Sequence, residues 1–152
     1  MLGYIWQIIK QKFSFLRLRK NIYIASKLKN EEQQKLNDKI YLLCKNIGFK
    51  KIFAPQRKTL PYENKLSPNK ILSLNRGGVD GCDIFLFVFD RCSSGSAMEY
   101  ERAFLLKKCI IGFRTKRSLK EDDLGKMVEG AWSDIQHKAS TLQELRKILF
   151  EI

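Results

Sequence analysis

The residue types that could do chemistry are concentrated in one short stretch, Ser93-Ser94-Gly95-Ser96-Ala97-Met98-Glu99. Small residues ahead of a helix leave its first N–H groups exposed, and Gly95 lets an anion approach the backbone closely. The hydroxyls of Ser93, Ser94 and Ser96 could add donors. The stretch matches neither a Walker A loop nor a GxGxxG fingerprint. Glu99 is expected in the first turn of the helix that Ser96 opens, ionised at neutral pH by the positive helix end. A carboxylate so placed can attack an electrophilic carbon. The spacing from Ser96 to Glu99 is also that of a capping box, in which Glu99 would only return to the Ser96 amide. Spacing alone leaves both readings open. Asp90, just ahead of the loop, is a further candidate, with a strand-ending turn as its plainer role. His137 is the sole histidine, and nothing pairs with it in sequence. Arg76, Arg114 and Arg117 could meet a phosphate, but in so basic a chain most such residues face water.

The elements around this stretch read as strand, loop, helix and strand. Ile84 to Phe89 is an unbroken apolar run suited to a strand covered on both faces. A helix from Ser96 to about Lys107 and a second short strand, Cys109 to Phe113, follow. Such a unit puts its loop at the carboxyl end of a strand, where open α/β sheets bind ligands. Upstream, Asn21 to Ala25 is a buried strand. Asn30 to Gln33 is a capping box opening a helix that stops at Gly48. Lys51 to Ala54 is another strand, followed by a polar loop from Gln56 to Leu66. Ser67-Pro68 opens a helix whose far end Gly77-Gly78 should weaken. Downstream, Arg114 to Lys126 reads as a charged loop, Met127 to Lys138 is ambiguous, and Thr141 to Glu144 caps a final helix. The alternation predicts a single-domain, three-layer α/β fold with a mostly parallel sheet.

The chain has 152 residues, enough for one domain with a real core, and a formal charge of +13. That charge suits an anionic partner as well as it suits plain solubility. A sequence-specific nucleic-acid binder is not expected, because no basic stripe with interleaved aromatics is present. Four cysteines without a CxxC pair argue against zinc and for a reducing, cytoplasmic setting. Residues 1–20 stand apart as a basic amphipathic extension to the domain at 21–152. They hold five basic and no acidic residues among Tyr4, Ile5, Trp6, Ile8, Ile9, Phe13, Phe15, Leu16 and Leu18. Lys10 and Lys12 interrupt the apolar run, which is too short to span a bilayer. A peripheral contact with an anionic membrane or a partner is one reading, and an extra helix packed on the sheet or in an oligomer is the other.

Five segments in order, IYIAS (Ile22 to Ser26), FAPQR (Phe53 to Arg57), CDIFLFVFD (Cys82 to Asp90), SSGSAMEYERAF (Ser93 to Phe104) and IIGFRT (Ile110 to Thr115), resemble the nucleoside 2-deoxyribosyltransferase family. Its superfamily includes the 2'-deoxynucleoside 5'-monophosphate N-glycosidases. The resemblance implies a Rossmann-like or flavodoxin-like fold, no cofactor, a homo-oligomer, and cleavage of an N-glycosidic bond. By it, Glu99 is the nucleophile that forms a glycosyl-enzyme intermediate, resolved by water or a second base. Tyr23 orients Glu99, and Gln56 contacts the base. Ser93, Gly95 and Ser96 hold the 5' end of a nucleoside or nucleotide, with Asn75 and Asp90 also in the substrate site. Three positions depart from the family pattern. Ser93 replaces an aspartate, which favours a 5'-phosphate. Asn75 replaces an aspartate thought to protonate the departing base, which an amide cannot do. Gly125 to Met127 lacks the asparagine that a neighbouring subunit lends. Asn75 therefore supports a second reading, a catalytically weak nucleotide-binding module recruited to a membrane or partner by its N-terminal segment.

Overall fold

The computed structural model describes residues 19–121 and 125–152. Five parallel strands form one sheet in the order β2-β1-β3-β4-β5: β1 Asn21–Ala25, β2 Lys51–Phe53, β3 Ile84–Val88, β4 Cys109–Phe113 and β5 His137–Ala139. The "mostly parallel" expectation sharpens to wholly parallel among the described residues. Helices α1 Glu31–Ile47, α2 Pro55–Lys58, α3 Pro68–Asp80, α4 Ser94–Leu105, α5 Lys116–Glu121, α6 Gly125–Asp134 and α7 Leu142–Glu151 connect the strands. The chain leaves β1 toward β2 and then returns to β3 on the other side. A crevice is thereby opened above the carboxyl ends of β1 and β3.

Strand residues alternate between two cores, as a period of two requires. Ile22, Ile24, Ile84, Leu86, Ile111 and Phe113 face α1 and α7, whose Ile40, Cys44, Leu145 and Leu149 are buried against them. Tyr23, Phe85, Phe87 and Phe89 face the other way, toward Val79 of α3, Ala103 of α4 and Trp132 of α6. This second core is a row of rings. Tyr23 stacks between Phe53 and Phe85 at 5.1 and 5.5 Å, and Phe89 meets Trp132 edge-on at 5.1 Å.

Several local expectations change. The capping residues Asn30 and Thr141 each accept a backbone N–H from inside their helix (Gln33 and Glu144). The reciprocal side chains reach one residue further back than a capping box requires, Gln33 to the Lys29 N–H and Glu144 to that of Ser140. The loop after Pro55 contains the single turn α2 and a 3-10 turn at Leu60–Tyr62. The charged loop after Arg114 forms α5, started by Thr115 Oγ1 accepting from the Ser118 N–H at 3.1 Å. The ambiguous stretch is α6 followed by β5. Helix α3 runs through Gly77-Gly78 to Asp80. Gly78 is there for proximity, because a Cβ at this position would lie 2.8 Å from both the Phe53 and Tyr23 rings. Residues 1–18, most of the N-terminal extension, lie outside the described residues, and so do residues 122–124.

Candidate active site

Helix α4 begins two residues earlier than the sequence suggests. Ser93 is its N-cap and accepts from the Ser96 N–H at 3.3 Å, while Ser96 Oγ accepts from the Ser93 N–H at 3.0 Å. This reciprocal pair is the capping box, so the alternative one between Ser96 and Glu99 does not form. Glu99 is the sixth helical residue, in the second turn. From there its side chain reaches across to α3, where Asn75 Nδ2 donates to Glu99 Oε1 at 3.1 Å. The Tyr23 hydroxyl lies beside the same carboxyl without a hydrogen bond of ordinary length and angle.

Burial sets the electrostatics. Loss of water pushes the Glu99 carboxyl up to about 7, against smaller opposing pulls from Tyr23 and Asn75. The expectation of a carboxylate held fully ionised at neutral pH is therefore corrected. A second-turn residue gains little from the helix end, and desolvation wins. Burial, and next the charge of Glu99, hold the Tyr23 phenol well above its ordinary value, so it remains a donor. Among the described residues, Tyr23 Oη, Asn75 Oδ1 and Gln56 Oε1 are buried without a partner. Orphaned polar atoms are costly in a closed core and point to a ligand that would satisfy them.

Glu99, Asn75 and Gly95 share the wall of an open cavity of about 810 Å³ between α3 and α4, with Leu66, Leu72 and Met98 around it. The two helices are clamped by Arg102, which donates from Nε and Nη2 to the two Asp80 oxygens at 2.5 and 2.7 Å. That clamp and the apolar rim were not foreseen. The partners are 22 residues apart, Leu72 belongs to a helical stripe that reads as core, and Leu66 reads as the end of a polar loop. The Ser93 and Ser96 hydroxyls are engaged with one another and with the cap backbone. The Ser94 and Gly95 N–H groups remain exposed in the first turn. Gln56 rises from the end of β2, outside the cavity lining. Asp90 turns away: its carboxylate accepts from the Thr115 N–H at 2.8 Å and from Thr115 Oγ1 at 2.5 Å. It lines a separate cavity of about 520 Å³ with Glu32, Lys35 and Arg117.

A family model for nucleoside 2-deoxyribosyltransferase matches residues 22–134, most of the described sheet and all of this site. The chain belongs to the nucleoside 2-deoxyribosyltransferase family. Solved structures with the same fold include the 2-deoxyribosyltransferase of the psychrotolerant bacterium Bacillus psychrosaccharolyticus. It has a TM-score of 0.67 and 18% identity, over 83% of this chain and 90% of that one. A conserved protein from Enterococcus faecalis V583 gives 0.66 and 15%, over 87% and 98%. The Clostridium botulinum CMP N-glycosidase gives 0.58 and 17%, over 86% and 97%. No curated protein matches the sequence. Membership makes the chain an enzyme of the nucleoside 2-deoxyribosyltransferase class. No helix among the described residues is long and apolar enough to cross a membrane.

Proposed function

We propose that this family member cleaves the N-glycosidic bond of a nucleoside 5'-monophosphate through a covalent intermediate on Glu99. A Glu99 oxygen bonds to C1' as the C1'–N bond breaks, and the electron pair leaves with the base. The base takes its proton from water, because the Asn75 amide has none to give. Water or a second base then attacks C1', releases Glu99 and leaves the configuration retained. Asn75 holds the carboxylate, and the Tyr23 hydroxyl beside it is a donor placed to reach the carboxylate or the substrate. The single observation that carries the reading is the Glu99 carboxyl, bonded to Asn75 at 3.1 Å and lining an open cavity rather than closing its own helix.

The preference for a 5'-phosphate rests on Ser93, where an aspartate would repel the group. The exposed Ser94 and Gly95 N–H groups at a helix start also favour it. Burial holds the Cys92 thiol above its ordinary value, and Lys27 is close enough to this end to act against that rise. A homo-oligomer is part of the proposal. The rim of the cavity is apolar and open, with Met98 56% and Leu72 38% exposed, and a second copy would close it.

The test is a panel of ribo- and deoxyribonucleosides and their 5'-monophosphates, with and without an acceptor base. Base released from a monophosphate without an acceptor supports hydrolysis, and exchange only with an acceptor supports transfer. Glu99→Gln should lower turnover by about a thousandfold or more; a variant that keeps its rate removes Glu99 from the chemistry. The second reading, a nucleotide-binding module with little turnover, is favoured by Asn75 standing where an acid is needed. Tight binding without base release would select it.

A further inference from the structure

An asparagine amide carries donors on its nitrogen and acceptor sites on its oxygen, so a partner that claims one end fixes the other. Glu99 claims the nitrogen. In its reactive, ionised form a carboxylate only accepts, and Asn75 Nδ2 donates to Glu99 Oε1 at 3.1 Å. The amide cannot turn over without setting its carbonyl oxygen against the carboxylate. Asn75 Oδ1 is thereby committed to the side away from Glu99, shielded from water and without a donor. The Tyr23 hydroxyl, also beside Glu99, is itself unpartnered and does not supply one. Asparagine is moreover a poor helix former, and Asn75 stands in the interior of α3.

The cavity wall that Asn75 shares is mostly carbon, with Leu66, Ile71, Leu72, Val79 and Met98 in it. Its charged members Glu63, Arg76 and Glu101 are exposed, and Arg102 is held by Asp80. Apolar walls suit a flat nucleobase better than a sugar, whose hydroxyls would lose water there without gaining partners. Bases differ in the group they offer a lone acceptor. Cytosine and adenine carry an exocyclic amino donor where uracil and hypoxanthine carry a keto acceptor. An amino group would complete Asn75 Oδ1. A keto oxygen in the same place would set two acceptors face to face in dry surroundings, leaving both unpaired.

We propose that Asn75 Oδ1 reads an exocyclic amino group on the base, so that amino-bearing nucleotides are taken over their keto counterparts. This rests on the reading of the cavity as a nucleotide site. The test compares kcat/KM for base release within two pairs of 5'-monophosphates, cytidine against uridine and adenosine against inosine, in ribo and deoxy forms. In at least one pair the amino member should be favoured by about tenfold or more. Asn75→Leu and Asn75→Ala remove the carbonyl and should bring that ratio close to one, whatever they do to the rate. A change in Glu99 itself is shared by both members of a pair and cancels in the ratio. Equal rates in both pairs, a keto preference, or a ratio that survives both substitutions overturns the proposal. A ribo-to-deoxy ratio that shifts while the base ratio stays would give Oδ1 to the sugar 2'-hydroxyl and also overturn it. Titration calorimetry with the same monophosphates separates this proposal from the cleavage mechanism. If no base is released, cleavage fails, and an amino preference in affinity that Asn75→Leu abolishes still supports the proposal; equal affinities overturn it.

Discussion

Glu99 carries two opposed demands. As a nucleophile it must be ionised, yet burial raises its carboxyl from an ordinary 4.5 to about 7. Between those values the folded protein holds a proton that the unfolded chain has released, so stability falls as pH rises through the window and levels off above it. The cost well above pH 7 is on the order of 3 kcal/mol. Glu99→Gln removes the charge but keeps the shape. Its thermal midpoint should therefore exceed the parent's at pH 8 and nearly match it at pH 5, while activity is lost. Equal midpoints at pH 8 would mean that the carboxyl is better solvated than its surroundings suggest. The same titration shapes catalysis: kcat/KM should drop with unit slope below about pH 7. Asn75→Asp sets a second carboxylate beside Glu99, so the acid limb should move to higher pH. A limb that stays in place would show that Asn75 does not govern the ionisation.

At the scale of elements, Gly77 and Gly78 are neighbours in one helix with opposite tasks. Nothing lies within 4 Å of a Cβ built on Gly77. Gly77→Ala should stabilise the protein by about 0.5–1 kcal/mol through helix propensity alone. Gly78→Ala drives a methyl into the Phe53 and Tyr23 rings and should cost about 1–3 kcal/mol. It should also lower kcat, because the ring it displaces carries the hydroxyl beside Glu99. Chemical denaturation of the two variants checks the pair, and similar midpoints would refute the contact. From sequence both glycines read as a weak helix end, since propensity is local and the approach of β1 to α3 is not. The misplaced start of α4 has a related cause: Ser93, Ser94 and Ser96 are all competent caps, and only the fold selects among them. The inner strands were legible because both faces of a parallel sheet are buried there, whereas the edge strand β5, with only Ala139 buried, was not. Ile84 to Val88 has no other plausible use. Glu99 was legible as a position through family resemblance, but its partner on α3 and its raised pKa depend on burial, which no spacing reveals.

For the whole molecule, the apolar rim between α3 and α4 sets the expected assembly. Met98→Glu places a charge on the surface that a second copy would cover. Sedimentation velocity should show the parent chain as an oligomer and the variant shifted to monomer. A parent that sediments as a monomer at every concentration would leave the rim to substrate alone. The large positive charge is spread over both poles of the sheet, with Lys45, Lys50, Lys51, Lys107 and Lys108 near the strand starts and Lys27, Lys29, Arg57, Lys58, Lys116 and Arg117 beyond the strand ends. The sequence shows the total but not this placement, which requires knowing that all five strands run the same way.

The sandwiching of Tyr23 between Phe53 and Phe85, with Gly78 pressed against its edge, has a kinetic consequence. A half-turn of the ring about its axis would need three neighbours to part at once, so the two edges of the phenol should remain magnetically distinct on the millisecond scale. The oxygen at its tip is thus fixed by packing alone, and a substrate arriving beside Glu99 would meet a donor already standing in place.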